Sequence, residues 1–131
     1  MSSETEEESM FVAVRLRPLN EKEKKRQDEE CWKVLPEFDS IALKNSSSKR
    51  DTFTYDHIYG TDSKTSDIYD QMVDPIVNSV VEGVHGTVFA YGQTSCGKTY
   101  TMQGHGTTPG ILQMAVLGIF EKIESCPDRE F

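Results

Sequence analysis

Cysteine is scarce in this sequence. Three cysteines occur in 131 residues, and no two of them form a Cys-x-x-Cys pair. An odd, widely spaced set is typical of neither a disulfide framework nor a cysteine-rich zinc site, so we expect a reduced, intracellular compartment. The three histidines have no ligand spacing with one another or with the cysteines, and we expect them to be ordinary core or surface residues. The residues concerned are Cys31, Cys96, Cys126, His57, His85 and His105.

Long apolar runs and an excess of basic charge are also missing. No apolar run approaches the about 20 residues that a membrane-spanning helix needs, and no signal peptide is recognisable. Asp and Glu number 22 against 14 Lys and Arg, which gives a net charge of −8. A chain that binds a polyanion is expected to carry a basic patch, so we expect no nucleic acid as partner. Since no membrane span is recognisable, we expect no membrane partner either. Residues 1–9 are acidic and small, and we expect them to form a disordered tail.

One stretch, residues 86–102, carries a recognisable chemistry. Residues 92–99 fit G-x-x-x-x-G-K-[ST], the phosphate-binding P-loop. Glycine lets the backbone turn tightly and bring successive N–H groups onto phosphate oxygens, to which the following helix adds its N-terminal N–H groups. In this interpretation Lys98 reaches the β- and γ-phosphates of ATP and is the catalytic residue, and the Thr99 hydroxyl binds Mg²⁺. The predicted phosphate-binding residues are Gly92, Gln93, Thr94, Ser95, Cys96, Gly97, Lys98 and Thr99.

The alternative for this stretch is a glycine-rich turn that merely joins a strand to a helix. The P-loop motif requires a preceding strand, and the β-branched and aromatic run Thr87–Ala90 predicts one. Other strands are predicted within residues 10–16, 31–34, 40–44 and 52–56, and helices within residues 63–84, from Lys98 onwards and within residues 110–123. A kink is predicted at Pro75. Leu112, Val116, Ile119 and Ile123 are predicted to share one face of the last helix.

The first predicted strand ends at Arg15-Leu-Arg-Pro18. Ligands of open α/β sheets lie outside the carboxyl ends of strands, so Arg15, Arg17 and Pro18 are placed to meet a nucleotide. The alternative is a strand end with two solvated arginines, and this element alone does not decide between them.

The stretch Gly-Thr-Val-Phe-Ala-Tyr-Gly-Gln-Thr-Ser-Cys-Gly-Lys-Thr-Tyr-Thr-Met resembles the nucleotide-binding signature of kinesin motor domains. The resemblance implies a doubly wound, mostly parallel α/β P-loop sheet and an ATP-driven microtubule motor in the cytoplasm, on the cytoskeleton. It also implies that Arg15, Arg17, Pro18 and Tyr100 hold the adenine. Cys96 departs from the family, which usually has a small hydroxyl residue or alanine there. Backbone groups do the binding at this position, so phosphate binding is still expected.

The resemblance spans residues 10–131 and implies the N-terminal, incomplete portion of a motor domain. The family's switch motifs, its Walker-B acid and its main tubulin contacts have no counterpart in this sequence, so residues 1–131 alone are not expected to hydrolyse ATP. In a sheet of kinesin type the strand at Thr87–Ala90 lies between strands from later sequence, so residues 1–131 alone are not expected to fold stably either. Ser-Cys-Pro-Asp-Arg-Glu-Phe at residues 125–131 resembles the centromere-associated protein E branch, which implies the spindle or kinetochore. Two alternatives stay open, a truncated or degenerate nucleotide-binding module without motor activity and a non-nucleotide interaction domain.

Overall fold

The computed structural model describes residues 10–46 and 48–127. The predicted tail, residues 1–9, lies outside these ranges. So do residues 128–131, the last part of the stretch that resembles the centromere-associated protein E branch. The chain divides into two compact units, Met1–Thr61 and Asp62–Phe131.

A short parallel strand pair begins the first unit. Strand β1 (Ala13–Arg15) pairs in parallel with β5 (His57–Tyr59), with Val14 opposite Ile58. The Asp56 carboxylate accepts the Val12 N–H at 2.7 Å just before the pair begins. The predicted first strand is therefore confirmed in its central part. Parallel strands need a long crossover connection, and the segment between β1 and β5 is long enough to provide one.

An antiparallel sheet occupies the segment between those two strands. Its order is β2-β3-β4, and both pairings are antiparallel. The predicted strands within residues 31–34, 40–44 and 52–56 are thus present. Ile41 and Ala42 of the central strand are buried, and Trp32 meets Phe53 edge-on across the sheet, with ring centroids 6.1 Å apart. The strands are β2 (Trp32–Leu35), β3 (Ser40–Leu43) and β4 (Thr52–Thr54), with short 3₁₀ helices at Pro36–Phe38 and Lys49–Asp51.

A surface helix, α1 (Glu21–Lys25), follows β1. Asn20 is its N-cap: the Asn20 side chain accepts the N–H groups of Lys22 and Glu23, both at 3.0 Å. The Glu23 carboxylate in turn accepts the Asn20 N–H at 2.8 Å, which completes a capping box. This reciprocal cap fixes a helix that is too short to be stable through its own hydrogen bonds.

The long helical segment of the second unit changes its winding in the middle. It runs through α2 (Thr65–Ile68), a π-helical turn (Tyr69–Val73) and α3 (Asp74–Val81). Pro75 has no N–H and its ring crowds the carbonyl four residues earlier, so the preceding turn widens and the Asp74 N–H donates to the Tyr69 carbonyl. A π turn thus precedes Pro75, and the kink predicted at Pro75 stays a prediction. Gly83, at φ 99°, follows the end of the segment, where glycine is favoured.

Helix α4 (Lys98–Gln103) begins at the predicted residue and leads into a small hairpin, β6 (Gly104–His105) with β7 (Thr108–Pro109). Two-residue strands leave no periodic signal, so this hairpin was not predicted. Gln113 ties the two ends together: it accepts the Gly110 N–H at 3.0 Å and donates to the Gln103 carbonyl at 2.7 Å.

Helix α5 (Ile111–Glu124) confirms the predicted last helix, but the apolar stripe predicted on one face is not the most buried face. Leu112 and Val116 are 56% and 46% exposed, whereas Ile111 and Gly118 are buried. Gly118 gives the Tyr69 ring room on α5, and the Lys122 ammonium pairs with the Asp74 carboxylate at 2.9 Å. These contacts with the Tyr69–Val81 segment decide which face turns inwards.

The predicted strand Thr87–Ala90 is not formed. Residues 84–92 belong to no helix or strand, and no strand in the described part of the chain pairs with them. Phe89 and Tyr91 are 71% and 96% exposed. Apolar, β-branched composition favours an extended backbone, but a strand also needs the hydrogen bonds of a neighbour. Over residues 10–46 and 48–127, no helix has both the length and the apolar character needed to cross a bilayer.

Candidate functional site

The loop between Tyr91 and helix α4 curls tightly at residues 92–97. Three of its residues have positive φ angles: Gly92 at 153°, Ser95 at 66° and Gly97 at 104°. The Cys96 N–H donates to the Gln93 carbonyl at 3.3 Å and closes the turn, while Thr94 lies at its tip. A positive φ angle strains a residue that carries a side chain, which here is Ser95. Residues with such strained angles cluster at functional sites.

The two motif glycines are required for different reasons. At Gly92, a Cβ atom would lie 2.5 Å from the Cys96 sulfur, so a side chain would fill the inside of the curve. At Gly97 no heavy atom lies within 4 Å of such a Cβ, and its φ of 104° is the only constraint. The loop therefore forms a cradle that any side chain at position 92 would obstruct. A phosphate group bound by backbone amides needs this kind of close approach.

Lys98, the first residue of α4, folds back over the loop. Its ammonium donates to the Gly92 carbonyl at 2.6 Å and to the Gln93 carbonyl at 2.8 Å, and it lies 4.0 Å from the Cys96 sulfur. A lysine ammonium has three N–H donors, and a thiol sulfur is a weak acceptor. The loop carbonyls thus hold the positive charge at the cradle with one donor directed to a weak partner.

Thr99 and Tyr100 occupy the next two positions of α4, and both are exposed. The Thr99 hydroxyl is a suitable Mg²⁺ ligand, since Mg²⁺ prefers hard oxygen donors and is commonly held by a few protein groups together with phosphates. The Gly92 cradle and this hydroxyl fit a phosphate–Mg²⁺ group. The Tyr100 ring is 44% exposed and is accessible to a flat partner.

The other predicted nucleotide residues follow β1 in the first unit. Arg15 is the last residue of the strand, and Arg17 and Pro18 come between β1 and α1. The Arg17 guanidinium donates to both carboxylate oxygens of Glu23, at 2.6 and 2.7 Å, and to the Pro18 carbonyl at 3.0 Å. The hydrogen bond from Arg17 and a second from the Asn20 backbone lower the pKa of Glu23 to about 2.

The sequence-predicted residues thus fall into two groups. Residues 92–100 are brought together in one loop and helix turn of the second unit, whereas Arg15, Arg17 and Pro18 lie together in the first. Glu23 belongs with Arg15, Arg17 and Pro18 but was not predicted. The spacing Asn20-x-x-Glu23 is a capping-box pattern and could have placed this carboxylate beside the chain that precedes α1.

Comparison with known proteins identifies a family. A model of the kinesin motor domain family matches residues 15–131. Kinesin-like protein KIN-7D, mitochondrial, of Arabidopsis thaliana is 40% identical over 127 residues, which are 97% of this chain and 12% of that protein. Kinesin-like protein KIN-7I of Oryza sativa subsp. japonica is 45% identical over 124 residues, covering 95% of this chain and 10% of its own length.

Kinesin-related protein 4 of Dictyostelium discoideum is 43% identical over 113 residues, which are 86% of this chain and 6% of that protein. The chain therefore spans only 6% to 12% of the length of these relatives. The family match covers most of the chain and includes both groups of predicted site residues. The chain belongs to the kinesin motor domain family.

Proposed function

We propose that this chain supplies the ATP-binding part of a kinesin-like motor that converts ATP hydrolysis into movement along microtubules. The observation that carries the proposal is the cradle formed by Gly92 to Gly97 with the Lys98 ammonium held over it. A glycine-rich loop of this kind, at the start of a helix, binds phosphate through its backbone amides and its lysine. The substrate is ATP and the partner is tubulin, which is contacted through parts of the motor outside these residues.

Lys98 acts by keeping its charge at the cradle. A phosphate oxygen is a much stronger acceptor than the Cys96 sulfur. The ammonium can therefore bind the β- and γ-phosphates from its place at the cradle. Charge that accumulates on the transferred phosphoryl group strengthens this contact in the transition state, which gives Lys98 its catalytic role. The Thr99 hydroxyl would supply one oxygen ligand to Mg²⁺, and the bound ion would neutralise phosphate charge.

Arg15, Arg17, Pro18 and Tyr100 hold the adenine. Guanidinium groups and a tyrosine ring offer flat surfaces on which a base can stack, and stacking tolerates different bases. Tyr100 lies on the helix that begins with Lys98, so its ring is tied to the phosphate-binding loop. Arg17 is tied to Glu23 in the first unit.

The proposal extends to the organisation of the protein. Residues 10–131 form the N-terminal portion of a doubly wound, mostly parallel sheet of P-loop type, in which residues 87–90 become a strand once neighbours pair with them. Residues 1–9 are an acidic tail. We further propose cytoplasmic, microtubule-associated localisation. The assignment to the centromere-associated protein E branch, and with it to the spindle or kinetochore, rests only on residues 125–131. None of the relatives named above carries that name.

The test uses the product of the complete open reading frame that encodes this chain. ATP turnover is measured with and without microtubules for the wild type, for Lys98→Met and for Lys64→Met, which removes one exposed lysine of the second unit as a matched control. We expect microtubules to stimulate turnover in the wild type and in Lys64→Met, and turnover to be lost in Lys98→Met. ATP binding without any stimulation by microtubules would instead identify a nucleotide-binding module without motor activity.

A further inference from the structure

The Glu23 carboxylate holds the Arg17 guanidinium in a two-point contact. Nη1 donates to Oε2 at 2.7 Å and Nη2 donates to Oε1 at 2.6 Å. A guanidinium that forms two parallel bonds to one carboxylate has its plane fixed as well as its position. The exposed fractions of the two side chains are 34% for Arg17 and 18% for Glu23, so the pair is better shielded from solvent than an ordinary surface ion pair.

The carboxylate is itself fixed by the start of helix α1. Glu23 Oε2 accepts the Asn20 N–H at 2.8 Å, while the Glu23 N–H donates to the Asn20 side chain at 3.0 Å. One oxygen of Glu23 therefore serves both the helix cap and the Arg17 contact. The Pro18 carbonyl, 3.0 Å from Nη1, adds a third point that restrains the arginine.

We propose that Glu23 is a positioning residue for adenine binding, which holds the Arg17 guanidinium plane in the orientation that meets the base. The inference rests on the proposed role of Arg17 and assigns to the capping box of α1 a part in nucleotide affinity. Arginine loses substantial rotamer freedom when it is ordered, and a side chain that is already fixed loses less on binding. Without Glu23, the Arg17 side chain has to become ordered each time a nucleotide binds, and this loss of freedom weakens binding.

A purely structural role for Glu23 gives a different result. If Glu23 only caps α1, its replacement lowers stability and affects nucleotide binding to the same extent whatever residue stands at position 17. If Glu23 acts through Arg17, its effect on nucleotide binding disappears when the guanidinium is absent. A double-mutant cycle therefore separates the two roles.

The experiment uses the product of the complete open reading frame and measures Kd for ATP, together with KM and kcat. The variants are Arg17→Ala, Glu23→Gln and their combination, with Glu21→Gln as the control. Glu21 lies in the same helix, pairs with Lys24 at 3.2 Å and loses the same charge. We expect Glu23→Gln to raise Kd and KM about 3- to 10-fold in the wild-type background, with kcat unchanged because the phosphate contacts are intact. In the Arg17→Ala background it should change neither.

Glu21→Gln should leave both constants unchanged. An equal increase in Kd on Glu23→Gln in both backgrounds would overturn the positioning role while leaving Arg17 in the adenine site. An unchanged Kd in Arg17→Ala alone would instead overturn the proposed role of Arg17. Arg17→Lys provides a second background that keeps the charge but has no planar fork, and there too Glu23→Gln should have no effect on Kd.

Discussion

The contact between Gly118 and Tyr69 gives the sharpest test of how α5 packs on the π turn. A Cβ atom at Gly118 would lie inside contact distance of the Tyr69 hydroxyl oxygen, but at 3.5 Å from the ring carbon that bears it and 3.8 Å from Val77 Cγ1. Only the hydroxyl obstructs an alanine. The hydroxyl is also buried and has no hydrogen-bond partner within the described residues, and its burial raises the pKa of Tyr69.

Two effects of opposite sign therefore meet in Gly118→Ala. Alanine is better than glycine in a helix interior by about 1 kcal/mol, whereas overpacking costs about 1–3 kcal/mol. We expect Gly118→Ala to lower the free energy of unfolding by up to about 2 kcal/mol in the wild type. In a Tyr69→Phe background the obstruction is gone, and the same substitution should raise it by about 1 kcal/mol. Tyr69→Phe alone should be neutral or stabilising, because it removes an unsatisfied buried hydroxyl.

The assay is urea unfolding of the complete open reading frame's product, followed by helical circular dichroism, for the wild type, both single variants and the double variant. Ala115→Gly in the same helix measures how much the difference in helix propensity between alanine and glycine changes the free energy of unfolding. If Gly118→Ala stabilises the protein equally in both backgrounds, Gly118 does not face the Tyr69 hydroxyl, and the packing described for α5 is wrong.

Three further outcomes are expected. Tyr100→Ala should weaken ATP and GTP binding alike, because stacking tolerates base identity; a tenfold loss for one base alone in direct binding measurements would point to hydrogen-bond readout. Gly97→Ala should weaken ATP binding about 5- to 30-fold through backbone strain alone, whereas Gly83→Ala, at φ 99° and equally open, should leave Kd unchanged. Because the pKa of Glu23 falls from 4.5 to about 2 on folding, its contribution to stability is complete above about pH 4.5 and is lost as the pH falls through 2. Acid titration of the melting temperature should therefore be shallower in Glu23→Gln, and an identical profile would count against the ion pair.

Features that depend on local chemistry were predicted well from the sequence. The start of α4 at Lys98 and the extent of α5 follow from residues close to the ends of these helices. The form of the break at Pro75, a π turn, was not predicted, because the hydrophobic period does not reveal one extra residue in a turn.

Features that depend on neighbours were predicted poorly. Residues 87–90 have the composition of a buried strand, yet a strand exists only where another backbone pairs with it. Leu112 and Val116 form an apolar stripe, but the partner that fixes the orientation of α5 is the Tyr69–Val81 segment, and it selects a different face. Glu23 escaped attention because a charged surface segment suggests no specific contact, and only the structure reveals its bonds to Arg17.

The central claim is that residues 92–99 bind ATP through its phosphates, with Lys98 as the principal side chain. The most direct test compares Kd for ATP with Kd for adenosine in the wild type, in Lys98→Met and in Lys64→Met, using the product of the complete open reading frame. Loss of one charge-assisted contact, worth about 1.5–3 kcal/mol, should weaken ATP binding by Lys98→Met about 10- to 150-fold. Adenosine has no phosphate, so its Kd should be the same in all three proteins. An equal loss of ATP and adenosine affinity in Lys98→Met would mean that Lys98 only supports the loop, and unchanged ATP affinity would remove these residues from phosphate binding.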